Sequence, residues 1–226
     1  MIEKVIKESF SFHDKDKVIY EVEKAASILN HVKKDKKTLV VPGNIKDLPD
    51  SLPGGFIKSY STGNEVIFVN SEDGPGIQME SNIFYDRFTV SLFNTIFQKI
   101  SYLHNEHTSE HNHPKYQHGW FFINPPEEGE SNYHDHTNFN DRFPHDVPTY
   151  TWTYYLQLPD NCIGEEGYLS FKEGDKEEAI KVEENTLYIF PSNLLHRPNI
   201  SPNSSKNRIT AAGNILIPTS EKSLFV

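Results

Sequence analysis

Tyr150-Thr151-Trp152-Thr153-Tyr154-Tyr155-Leu156-Gln157-Leu158 is dense in the β-branched and aromatic residues that favour strands. Further short runs follow it: Gly167 to Phe171, Ala179 to Val182, Thr186 to Phe190 and Arg208 to Ile217. Gly, Asp, Asn and Pro turns separate them. Upstream, Trp120 to Ile123 is another apolar run, closed by Pro125-Pro126-Glu127-Glu128-Gly129, and Tyr133 to His136 is short and polar. Short strands at close spacing with such punctuation indicate an all-β sandwich or barrel.

The N-terminal half reads differently. Ile19, Val22, Ala26 and Leu29 recur at three and four residues, so Val18 to Asn30 is expected to be an amphipathic helix. Thr38 to Val41 and Val66 to Val69 are strand candidates, Leu48 to Gly63 reads as loop, and Ser71 to Gly76 as a turn cluster. Phe84, Phe88, Leu92, Ile96, Ile100 and Leu103 mark a second, stronger helix, for which Ser81 and Asn82 are suitable caps. The expectation is a single domain over 1–226, mainly β with N-terminal helices. A helix-rich part, 1–116, would pack on a β-core, 117–218.

Composition narrows the function. The 226 residues carry a net charge of −10, which argues against non-specific nucleic-acid or anionic-membrane binding, since both need clustered Lys and Arg. No apolar run approaches a membrane span, and Met1 to Phe10 lacks the apolar stretch of a signal peptide, so a soluble cytoplasmic protein is expected. The one cysteine, Cys162, excludes an internal disulfide framework and reads as an incidental thiol.

Eleven histidines carry most of the chemical information. In an extended His134-Asp135-His136, alternation aims the two imidazoles to one side and Asp135 to the other. Such a pair can hold a divalent metal, or it can be two surface histidines of a polar loop. His196, after the strand that ends at Phe190, is the candidate third ligand, and three ligands on one face leave positions open for substrate and O2. Arg208 and Thr210 share a strand face, where a guanidinium and a hydroxyl can grip a carboxylate. His104 to Gln117, with its further histidines, and Asn138 to Pro148 read as polar loops flanking the site and together as a candidate substrate lid.

Taken in order, His134-x-His136, Tyr154-Tyr155-Leu156, Phe190-Pro191-Ser192 with His196, and Arg208-x-Thr210 resemble the Fe(II)/2-oxoglutarate-dependent dioxygenases, nearest to bacterial and phage oxygenases related to prolyl hydroxylases. The likeness covers roughly residues 117–218. It implies a double-stranded β-helix (a cupin-like jelly roll) with His134, His136 and His196 on Fe(II). Arg208 and Thr210 would take the remote carboxylate of 2-oxoglutarate, and Tyr155 would hydrogen-bond the same group. A hydroxylase that consumes O2 and 2-oxoglutarate and releases succinate and CO2 follows, acting on a small molecule or a peptidyl side chain. One position departs from the pattern: the middle ligand is usually Asp or Glu, and here His136 takes that role rather than Asp135. Two alternatives stand beside this reading: a non-catalytic cupin-like binding domain, and a three-histidine cupin dioxygenase that does not use 2-oxoglutarate.

Overall fold

A computed structural model of the chain describes residues 2–32, 38–42, 51–52, 56–61, 65–70, 77–80, 86–109, 111–126, 131–136 and 149–218. The strands are β1 (Ile6–Ser9), β2 (Thr38–Pro42), β3 (Ser51–Leu52), β4 (Phe56–Ser61), β5 (Glu65–Asn70), β6 (Ile77–Glu80) and β7 (Tyr116–Asn124). They continue with β8 (Thr149–Gln157), β9 (Leu169–Glu173), β10 (Lys176–Ile180), β11 (Thr186–Pro191), β12 (Leu195–Pro198) and β13 (Arg208–Leu216). The helices are α1 (Lys15–Val32) and α2 (Arg87–Thr108).

The frame is a β-sandwich. A six-stranded sheet in the order β1-β11-β8-β13-β7-β6 faces a three-stranded sheet, β10-β9-β12, and β2-β5-β4-β3 form a third sheet. Every pairing in the large sheet is antiparallel. Its two faces are sorted by the period-2 alternation of side chains. On β8, Tyr150, Trp152, Tyr154 and Leu156 belong to the core shared with α1 and α2, together with Leu92, Phe93, Ile96 and Phe97. Tyr155 belongs to the second core, between the sheets, with Leu169, Phe171, Tyr188 and Phe190.

Trp152, fully buried, meets Phe93 and Phe97 edge-on with ring centroids 5.9 and 5.6 Å away. Two glycines make room for it. A Cβ at Gly213 would stand 2.1 Å from the His118 carbonyl oxygen and 2.6 Å from the Trp152 ring, and one at Gly119 would stand 2.3 Å from Phe93. Gly213→Ala is therefore expected to destabilise the protein by about 1–3 kcal/mol through overpacking, read as a lower denaturant midpoint at unchanged m.

Several expectations need correcting. Leu48 to Gly63 is not a loop throughout: β3 and β4 lie within it and pair with each other, and β4 also pairs with β5. β6, on the edge of the large sheet, was hidden by its length of four residues. The cap of α2 is Asp86 rather than Ser81 or Asn82; its Oδ1 accepts from the Phe88 and Thr89 amides at 2.8 and 3.0 Å, and Phe84 lies outside the described residues. The segment from His104 is not a loop until Ser109, because α2 runs to Thr108. His104 is fully buried there, its Nδ1 2.9 Å from the Tyr150 hydroxyl. Of the candidate lid, 138–148 lies outside the described residues.

Candidate metal centre

The site is assembled on the inner face of the sandwich. β12 pairs with β9, and beyond β12 the chain returns as the extended segment 131–136, joined to it by one antiparallel bridge between His134 and His196. The bridge is reciprocal: the His134 amide donates to the His196 carbonyl at 3.1 Å, and the His196 amide donates back at 2.9 Å. Directly opposed residues point their side chains to the same face. His136 lies two residues on, so alternation returns it to that face, and its amide donates to the Ser192 carbonyl at 2.8 Å.

The consequence is a cluster of three rings. Centroids of His134 and His196 are 4.5 Å apart, His136 and His196 5.1 Å, and His134 and His136 5.5 Å. One ring nitrogen from each lies within 4.8 Å of the other two. Asp135 is not in this group, as alternation requires.

Hydrogen bonds at Nδ1 orient the three rings. Nδ1 of His134 lies 3.2 Å from the Asn132 carbonyl, and Nδ1 of His196 lies 2.9 Å from the Leu194 carbonyl. A carbonyl only accepts, so each Nδ1 carries a proton, and in the neutral ring Nε2 then keeps its lone pair. Nδ1 of His136 is 2.7 Å from Asn214 Oδ1 and 3.2 Å from the Thr151 hydroxyl. Burial, reinforced by the neighbouring His134, pushes His136 down to about 4. Burial also holds His196 well below the usual imidazole range. Both rings are therefore neutral at physiological pH, the form in which imidazole ligates. Three neutral imidazole nitrogens suit Fe, Zn, Ni or Cu in their divalent states, so the donor set fits a metal ion. His134 is exposed and His196 only 4 % exposed, so the cluster opens to solvent on the His134 side.

The floor beneath the rings is set by strand register. Along β13, Leu216, Asn214, Ala212, Thr210 and Arg208 alternate with the outer-core residues Ile215, Ala211 and Ile209. Asn214 is flanked by His118 on β7 and Thr151 on β8; Ala212 by Trp120 and Thr153; Thr210 by Phe122 and Tyr155; Arg208 by Asn124. These rows form a trough. Its metal end is the Asn214 row, and Trp120 forms its wall there, 5.6 Å from the His136 ring and 5.3 Å from that of His118. Its other end is Arg208, three rows or roughly 20 Å of strand away.

Arg208 is 3 % exposed. Nε and Nη2 donate to Asn124 Oδ1 at 3.1 and 2.9 Å, and Nη1 donates to the Asn199 carbonyl at 3.0 Å. Burial pushes the Tyr155 phenol up to about 12, so it stays protonated, and the Arg208 charge acts in the opposite direction. Thr210 is buried between Phe122 and Tyr155 in the register. Sequence reasoning missed Asn214, Thr151, Trp120 and Asn124. The signal for Asn214 was available, since it continues the same alternation that pairs Arg208 with Thr210.

With this geometry in view, known structures can be compared. AviO1 from Streptomyces viridochromogenes Tue57 aligns over 97 % of this chain and 92 % of its own at 10 % identity, with a TM-score of 0.54. HygX from Streptomyces hygroscopicus, solved with nickel and 2-oxoglutarate bound, aligns over 96 % and 83 % at 9 % identity, with a TM-score of 0.52. The non-haem α-ketoglutarate-dependent epimerase SnoN, from nogalamycin biosynthesis, aligns over 94 % and 77 % at 9 % identity, with a TM-score of 0.50. The chain has the fold of these proteins. No family model and no curated protein sequence matches it. Among the described residues no helix is long and apolar enough to cross a membrane.

Proposed function

We propose that the protein is an Fe(II)- and 2-oxoglutarate-dependent dioxygenase that hydroxylates a substrate C–H bond. In this reading the frame is a double-stranded β-helix, residues 117–218 are its catalytic core and 1–116 pack on that core within one domain. The observation that carries it is the trio His134, His136 and His196 at one end of a trough, with a buried guanidinium at the other end on the same sheet face. The fold shared with HygX, which was solved holding 2-oxoglutarate, supports the same reading.

The residues then have distinct tasks. His134, His136 and His196 would hold the iron, which when bound supplies O2 activation and oxidative decarboxylation of the keto acid. Arg208 would offer its charge to the remote carboxylate, with the Tyr155 and Thr210 hydroxyls as hydrogen-bond donors beside it. Trp120 and the inter-sheet core of Leu169, Phe171, Tyr188 and Phe190 keep water from the trough. The side open at His134 admits the substrate, for which the sequence resemblance points to a peptidyl side chain, with proline among the choices. Anaerobic addition of Fe(II) and 2-oxoglutarate tests the proposal: a weak visible charge-transfer band and succinate formation in air are expected, and absence of both rejects it.

A second reading rests on a specific observation. The three donor contacts of Arg208 go to Asn124 and Asn199, and the three-histidine group among the described residues holds no carboxylate. A three-histidine dioxygenase that uses O2 without a keto acid would need no clamp. It would bind iron yet give neither the band nor succinate.

A further inference from the structure

The three imidazoles are not held alike. His134 and His196 give their Nδ1 protons to backbone carbonyls, which leave no choice of tautomer. His136 instead faces an amide, and an amide has two ends. With Oδ1 toward the ring, as here at 2.7 Å, Nδ1 carries the proton and Nε2 is a ligand. With the amide turned over, its N–H would donate to Nδ1, the proton would move to Nε2, and the third ligand would be lost. The Thr151 hydroxyl, 2.9 Å from the same Oδ1 and 3.2 Å from Ser192 Oγ, favours the first arrangement by adding a second donor to that oxygen. All three partners lie inside the sandwich: Asn214 is 5 % exposed, Thr151 and Ser192 each 1 %.

We infer that Asn214 is the positioning residue of the third imidazole, and that its amide, in place of an acceptor-only carboxylate, sets how tightly this centre holds its metal. The inference rests on the metal-centre reading above but not on the use of 2-oxoglutarate. A carboxylate at 214 would have no donor end, would lock the ligating tautomer and would raise the basicity of His136 Nε2. An apolar side chain would leave Nδ1 only the longer contact with the Thr151 hydroxyl, 3.2 Å away, and the ring less firmly oriented. Partners of this kind change metal affinity by about 10–100-fold.

The test is Co(II) titration of the full chain without keto acid, followed by the visible ligand-field bands, for the native protein, Asn214→Asp and Asn214→Leu. Asn214→Asp should bind about 10-fold more tightly than native, and Asn214→Leu about 10–100-fold more weakly. The same Asn214→Leu change in a His136→Ala background should alter the residual affinity less than twofold, because its effect passes through His136. Equal weakening in both backgrounds makes Asn214 a general structural residue and overturns the inference. So does an Asn214→Asp affinity no tighter than native, a result that needs only the near-isosteric variant to fold. A native protein that binds no Co(II) removes the metal centre itself, whereas native binding left unchanged by Asn214→Leu removes this inference alone.

Discussion

His196→Ala is expected to abolish tight metal binding, lowering Co(II) or Ni(II) affinity by more than about 100-fold, beyond the range for loss of a residue that only orients a ligand. The imidazole is fully inside the sandwich, and its ring sits 4.7 Å from Phe190 and 6.5 Å from Phe171. The backbone bridge to His134 does not depend on the side chain, so the fold should survive: far-UV circular dichroism should be unchanged while the metal titration flattens. His134→Ala should cost less, because that residue is exposed and water can take its place as a ligand. Equal losses for the two variants would contradict the asymmetry of burial.

Arg208→Ala is expected to weaken 2-oxoglutarate binding to the Fe(II)-loaded protein by about 30-fold or more, the lower end of the 2–5 kcal/mol that truncating a buried charged partner costs. Metal affinity measured without the keto acid should not move, since Arg208 lies three rows from Asn214. Thermal stability should also fall, because Asn124 Oδ1 and the Asn199 carbonyl lose their donors. Arg208→Lys separates the two effects: it keeps a charge but not the forked contact with Asn124, so it should recover part of the keto-acid affinity. If Arg208→Ala leaves 2-oxoglutarate affinity unchanged, the clamp is elsewhere, and the hydroxyls of Thr210 and Tyr155, one row nearer the metal end, are the next candidates.

Strands of the C-terminal half were legible because they are long, apolar and closed by turn residues, as Tyr150 to Leu158 and Arg208 to Ile217 are. Some of the shortest strands were not, although Thr38 to Val41 and Val66 to Val69 were. Ile77 to Glu80 and Ile6 to Ser9 are four residues each, and what makes them strands is a distant partner, Trp120 to Ile123 or Thr186 to Ile189, rather than their own composition. His104 was misplaced for a related reason. Its polarity suggests a loop, but the Tyr150 hydroxyl offers a partner inside the core, and burial follows from that bond. The convergence of three histidines followed from alternation plus one long-range bridge; only the first of these was visible locally. Their supporting cast, Asn214, Thr151 and Ser192, comes from three different segments and is specified by register alone.

The strand at the very start, β1, closes one edge of the large sheet by pairing with β11 across some 180 positions of chain, Ile6 opposite Ile189 and Ser9 opposite Thr186. Lys4, Lys7 and Lys15 tie the same segment to Glu173, Glu183 and Glu184. During synthesis β1 must therefore wait for β11 before it has a place, and closing so large a loop slows folding. Until then β11 presents an unpaired backbone to any passing chain. Chains should consequently be most prone to clump before that pairing forms.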